Sequence, residues 1–167
     1  MRKRAFKQKK RYKVKGEVQL SKLVMIFASM SGNTEEMADH IAGVIRETEN
    51  EIEVIDIMDS PEASILEQYD GIILGAYTWG DGDLPDDFLD FYDAMDSIDL
   101  TGKKAAVFGS CDSAYPKYGV AVDILIEKLQ ERGAAVVLEG LKVELTPEDE
   151  DVEKCLQFGA EFVKHLS

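Results

Sequence analysis

The chain has 167 residues, 45% of them hydrophobic and 31% charged, with a formal net charge of −14; that length is enough for one domain with a buried core and no disulfide staples. No run approaches the 18 apolar residues of a membrane span, the basic N-terminus lacks the apolar segment of a signal peptide, and the two cysteines, Cys111 and Cys155, form no C-x-x-C pair. A soluble, cytoplasmic protein with reduced thiols is expected.

Residues 1–22 hold ten Lys or Arg against one Glu, a net of +9. With few apolar groups and little periodicity, this stretch is expected to be a disordered extension of the folded domain at 23–167. Two readings of it stand. It is a basic arm for nucleic acid or a membrane surface, or it is translated leader. Lys15-Gly16-Glu17-Val18 can be encoded by AAAGGAGAGGTG, which looks like a bacterial ribosome-binding site, and Leu20 by a TTG start. Residues 23–167 hold nine Lys or Arg against thirty-two acids, a net of −23. Such a body should repel nucleic acid and membranes and attract basic protein surfaces.

Leu23 to Phe27 is an apolar run of strand formers, read as a strand covered on both faces. A polar turn follows, Ser29-Met30-Ser31-Gly32-Asn33-Thr34, and then Met37, Ile41, Val44, Ile45 and Thr48 at helical spacing. A strand handing over to a helix N-terminus leaves backbone N–H groups unpaired at the positive end of the helix dipole, which is a ready anion site. No Lys or Arg lies between Lys22 and Arg46, so the lysine of a nucleoside-triphosphate P-loop is missing and a terminal monophosphate fits better.

Glu51 to Ile57 alternates polar and apolar residues, the mark of an edge strand. Ser60-Pro61 predicts a short helix, with Ser as cap and Pro in the first turn. Gly71 to Ala76 is a second buried strand, ending at Tyr77-Thr78-Trp79-Gly80-Asp81-Gly82-Asp83. Phe88, Leu89, Tyr92 and Met95 then share a helix face, and Ala105 to Phe108 is a third buried strand running into Gly109-Ser110-Cys111-Asp112-Ser113-Ala114-Tyr115. The next helix buries Val122, Leu125, Ile126 and Leu129 and stops at Gly133. Ala134 to Leu138, continued by Leu141 to Leu145, is the last strand, and Thr146-Pro147 opens the last helix. Five strands alternating with five helices predict a doubly wound α/β domain with a parallel sheet. Ligands of such sheets bind at the carboxyl ends of the strands, where the strand order reverses.

Trp79, the single tryptophan, sits among Gly and Asp with only Tyr77 apolar beside it, and Tyr115 and Tyr118 have similar surroundings. Aromatics in that setting suggest platforms for a flat ligand. Together the three loops resemble the phosphate loop and the two ring-binding loops of flavodoxins, in register from about Leu23 to Leu166. The likeness is to the short-chain, Bacillus-like type, because the last strand carries no long insertion. The resemblance implies a five-stranded parallel sheet in the order 2-1-3-4-5 with helices on both faces, and non-covalent FMN. Its phosphate would be bound by Ser29, Ser31, Asn33, Thr34 and Thr78, with Met30 and Gly32 in the same loop; Met30 replaces the commoner Ser or Thr. Trp79 and Tyr115 would sandwich the ring, and backbone of Asp112, Lys117 and Gly119 would meet its pyrimidine edge. Tyr77, Gly80, Asp81, Gly82, Ser110, Cys111 and Tyr118 complete the implied contacts. The Gly80-Asp81 peptide would turn its carbonyl toward the flavin on the first reduction, a motion that glycine makes cheap.

Asp81, Asp83, Asp86, Asp87, Asp90 and Asp93 crowd the second loop and its helix. One charge about 10 Å away at an effective dielectric near 20 opposes a new negative charge by roughly 1.7 kcal/mol before screening, on the order of 70 mV. Several of them should drive the second couple far negative. No catalytic constellation or metal spacing is visible, and no metal is expected. The expected function is low-potential, one-electron transfer between a reductase and acceptor oxidoreductases with basic docking surfaces, by a monomer without substrate turnover of its own. The alternatives are an FMN-dependent NAD(P)H:quinone-type reductase and an interaction module working through residues 1–22. A phosphoacceptor receiver domain shares the topology, but the first strand ends in Ala28-Ser29 where paired acids would hold magnesium.

Overall fold

The computed structural model describes residues 20–166. Residues 1–19, most of the basic extension, lie outside the described residues. The chain folds as β1 (Lys22–Phe27), α1 (Asn33–Arg46), β2 (Glu51–Asp56), β3 (Gly71–Gly75), α2 (Asp86–Ala94), β4 (Lys104–Cys111), α3 (Val120–Glu131), β5 (Ala135–Val136), β6 (Leu141–Glu144) and α4 (Asp149–Lys164). Every strand pair is parallel, in the order β2-β1-β3-β4-β5, with β6 also on β4. This is the doubly wound order that the resemblance implied.

Alternation along the inner strands divides the core in two. Val24, Ile26, Ile72, Leu74, Ala105 and Val107 face Leu66, Phe88, Phe91, Val122 and Leu125, so one side of the sheet is closed by α2, α3 and the turn before β3. Leu23, Met25, Ile73, Ala106 and Phe108 face Met37, Ile41, Ile45, Cys155, Phe158 and Phe162 of α1 and α4 on the other. Gly159 lets those two helices approach: a Cβ there would lie 2.4 Å from Val44 Cγ1 and 2.9 Å from the Ile41 carbonyl.

The structure corrects several expectations. Lys22 already belongs to β1, and Ser21 is buried with its N–H on Asn50 Oδ1 at 2.9 Å, so the folded part starts before residue 23. The helix expected at Ser60-Pro61 is two short 3-10 turns, Ile57–Asp59 and Ala63–Gln68, and Ser60 is no N-cap but closes the first turn in a left-handed conformation at φ 52. Leu89 is exposed, and Phe91 takes the inward place in α2. The last helix begins at Asp149, capped by a reciprocal Glu148–Asp151 box, two residues after Pro147.

Two strand boundaries differ as well. The edge strand is broken: β5 pairs only with Lys104 and Ala105, whereas β6 pairs with Phe108 to Cys111. Because β6 supplies those partners, β4 runs three residues past Phe108, and Ser110 and Cys111 are buried strand residues. The ends of β1, β3 and β4 are sheet neighbours, so the three polar loops leave one edge side by side.

Candidate functional site

The first loop wraps the N-terminus of α1. Gly32 stands at the N-cap with φ 93, a left-handed conformation that leaves no capping side chain. Ser29 substitutes for it, its Oγ accepting from the Glu35 N–H at 3.2 Å, which keeps the Ser29 hydroxyl proton available. Among the described residues no acceptor takes the backbone N–H groups of Ser31, Gly32, Asn33 or Thr34. These donors and the helix dipole, in a stretch with no Lys or Arg between Lys22 and Arg46, are the chemistry a phosphate monoester needs from neutral groups. Met30 is largely exposed, and its thioether offers no hydrogen-bond donor. Asn33 Oδ1 accepts from Thr146 Oγ1 at 3.1 Å, tying the loop to the approach to α4.

The second loop is closed on itself. Trp79 and Asp83 exchange backbone bonds at 2.8 and 2.9 Å as an isolated antiparallel bridge, with Gly80 at φ 52 and Gly82 at φ 120 carrying the turn. Trp79 is 44% exposed, an unusual setting for an indole, and rests edge-on against Tyr77 at 6.4 Å between centroids. Tyr77 packs on the core beneath it and so acts as a brace. Burial raises the Tyr77 phenol above its ordinary pKa, and the charges of Asp87 and Asp86 raise it further. The acidic field of α2 therefore reaches this loop. Asp81, Asp83, Asp86, Asp87, Asp90 and Asp93 are all exposed.

The third loop starts at Asp112, whose Oδ1 accepts from the Ala114 N–H at 2.9 Å in an Asx turn. Tyr115 is half exposed, and Tyr118 and Lys117 are exposed too. Cys111 is buried, and that burial pushes its thiol up to about 11; the same effect pushes Tyr118 up to about 12. Gly119 is the N-cap of α3 at φ 66.

Three contacts join the loops. Thr34 Oγ1 and Ser110 Oγ lie 2.6 Å apart and buried, linking the first loop to the end of β4; one of the two hydroxyls donates, and the pair keeps one proton for a further acceptor. Thr78 Oγ1 accepts from the Ala121 N–H at 3.2 Å, pinning the second loop to the start of α3. A Cβ on Gly82 would lie 2.7 Å from Lys117 Cδ, so the Lys117 stem covers that glycine and the second and third loops touch. The residues singled out in sequence are thus gathered at one edge. Their polar side chains are not a bare row of donors, however: Ser29, Asn33, Thr34, Thr78 and Ser110 each hold a protein partner as well. Lys142 and Glu144, which hold the third loop, went unseen in the sequence, where Leu141 to Leu145 reads only as the continuation of the last inner strand.

A family model described as flavodoxin matches residues 25–159. The chain belongs to the flavodoxin family. A probable flavodoxin 2 of Bacillus subtilis (strain 168) is 46% identical over 145 residues, covering 87% of this chain and 96% of the relative. The crystal structure of oxidised Flavodoxin 2 from Bacillus cereus is 52% identical, covers 86% of this chain and 99% of its own, and superposes with a TM-score of 0.83. A short-chain flavodoxin associated with a bacterial microcompartment is 31% identical, covering 89% of this chain and all of its own, with a TM-score of 0.83. This flavodoxin is therefore of the short-chain, Bacillus-like type, an FMN-binding electron-transfer protein, and the quinone-reductase reading is not favoured. Among the described residues no helix is long and apolar enough to cross a membrane.

Proposed function

We propose that the three joined loops form a single FMN site and that the chain works as a cytoplasmic, monomeric carrier of single electrons with no substrate turnover of its own. The observation that carries the site is the lysine-free α1 N-terminus, whose unpartnered N–H groups lie one buried hydroxyl pair away from the ring-binding strand. Ser29, Ser31, Asn33, Thr34 and Thr78 hold the phosphate together with the backbone of Gly32. Trp79 and Tyr115 flank the ring, and backbone of Asp112, Lys117 and Gly119 meets its polar edge.

Bound FMN supplies the one-electron chemistry. The chain's residues set the direction. The exposed carboxylates of the second loop and α2 oppose any added negative charge at the site and so favour electron donation. The same carboxylates suit docking by redox proteins with basic surfaces, faster at low salt. The basic residues 1–22 play no part in this reading.

A carrier and a reductase separate on one experiment. The purified holoprotein is mixed with NADPH in air, alone and then with a flavodoxin reductase. No steady-state oxidation by the protein alone is expected, with turnover appearing only when the reductase is added; sustained NADPH oxidation by the protein alone contradicts the carrier reading.

A further inference from the structure

The break in the edge strand places β6 beside the last four residues of β4, with Cys111 opposite Glu144 and the Leu145 N–H on the Cys111 carbonyl at 2.8 Å. Val143 turns into the core of α1 and α4, so Lys142 and Glu144, two residues apart, share the opposite side of the strand. Both side chains reach the third loop. The Glu144 carboxylate accepts from the Ser113 N–H at 3.1 Å and from Ser113 Oγ at 2.7 Å, at the loop's beginning. Lys142 Nζ donates to Asp123 Oδ2 at 2.9 Å and to the Tyr118 carbonyl at 3.5 Å, at the loop's end. Its stem also lies over Gly119, where a Cβ would come within 2.4 Å of Lys142 Cδ. One short strand thus grips the segment that carries Tyr115 from both sides.

From this geometry we propose that Glu144 and Lys142 are positioning residues that hold the Asp112–Gly119 loop ready for the flavin ring, independently of the phosphate loop. The proposal rests on the FMN site described above. Ordering a loop residue on binding costs conformational entropy, and a loop held in place before the ligand arrives avoids that cost. Charge-assisted bonds such as those of Glu144 are the stronger kind. The phosphate loop has its own ties, Thr34 to Ser110 and Asn33 to Thr146, neither of which uses the Lys142 or Glu144 side chain.

The test is titration of the apoprotein with FMN and, separately, riboflavin, read by Trp79 fluorescence, for the wild type, Glu144→Ala, Glu144→Gln and Lys142→Met. Glu144→Ala is expected to weaken both ligands by about tenfold, leaving the riboflavin-to-FMN affinity ratio unchanged because the phosphate contacts survive. Glu144→Gln keeps an acceptor for Ser113 and is expected to stay within about threefold of the wild type. Lys142→Met is expected to weaken both ligands with the ratio again preserved. A change in that ratio, or wild-type affinity for riboflavin in Glu144→Ala, overturns the proposal. A wild-type protein that binds neither ligand overturns the underlying site instead. The apoprotein melting temperature, measured in parallel, identifies a variant that has merely unfolded, in which case Glu144→Gln and Lys142→Met decide.

Discussion

Gly80 tests the mechanism at the scale of one residue. It stands at φ 52, and a Cβ built on it meets nothing within 4 Å. Alanine there changes backbone freedom without a clash. If the turned peptide holds residue 80 more firmly in the left-handed region, an L-residue there disfavours the turned state by roughly 1–2 kcal/mol, which for a one-electron couple corresponds to about 40–90 mV. If the Gly80-Asp81 peptide turns on the first reduction as proposed, Gly80→Ala shifts the first couple negative by that order in a spectroelectrochemical titration. An unchanged first potential removes the peptide from the mechanism. Residues of this kind were legible in sequence because their chemistry is local: a glycine between Trp79 and Asp81, or hydroxyls after an apolar strand, announce themselves without neighbours. The pairing of Thr34 with Ser110 was not, since 76 residues separate them.

Among elements, the inner strands and long helices were legible because each has one period and one core face. Leu23 to Phe27 could be nothing but a buried strand, and the stripe of Met37, Ile41 and Ile45 nothing but its covering helix. The failures came where partners, not periods, decide the outcome. Ser60-Pro61 carries helix-start signals, but with only a short crossover between β2 and β3 the chain closes 3-10 turns instead. The division of the edge strand depends on what β4 offers, and Gly140 packs there so tightly that a Cβ would lie 2.5 Å from Val122 Cγ1. Close packing of elements also gives a stability prediction. Gly159→Val would drive a branched side chain into Val44 and the Ile41 carbonyl, separating α4 from α1. Overpacking of this kind costs typically about 1–3 kcal/mol. A lowered urea midpoint with little change in flavin potential is expected, and a midpoint equal to the wild type contradicts the packing account.

For the whole molecule, charge and topology act together. A parallel sheet brings the ends of β1, β3 and β4 to one edge, and the charges of Asp86 and Asp87 at the start of α2 reach Tyr77 in the middle of the three loops that start there. A ligand held at this edge meets the carboxylates of the second loop, and its phosphate is met by dipoles and N–H groups of a loop that carries no Lys or Arg of its own. The most direct measurement is titration of the apoprotein with FMN, followed by the visible absorbance of the bound flavin and by Trp79 fluorescence. One FMN per chain, quenching of the single tryptophan, and riboflavin bound more weakly than FMN are expected. A protein that stays colourless with unquenched fluorescence, or that binds riboflavin as well as FMN, would contradict the phosphate cradle and the aromatic platform beside it.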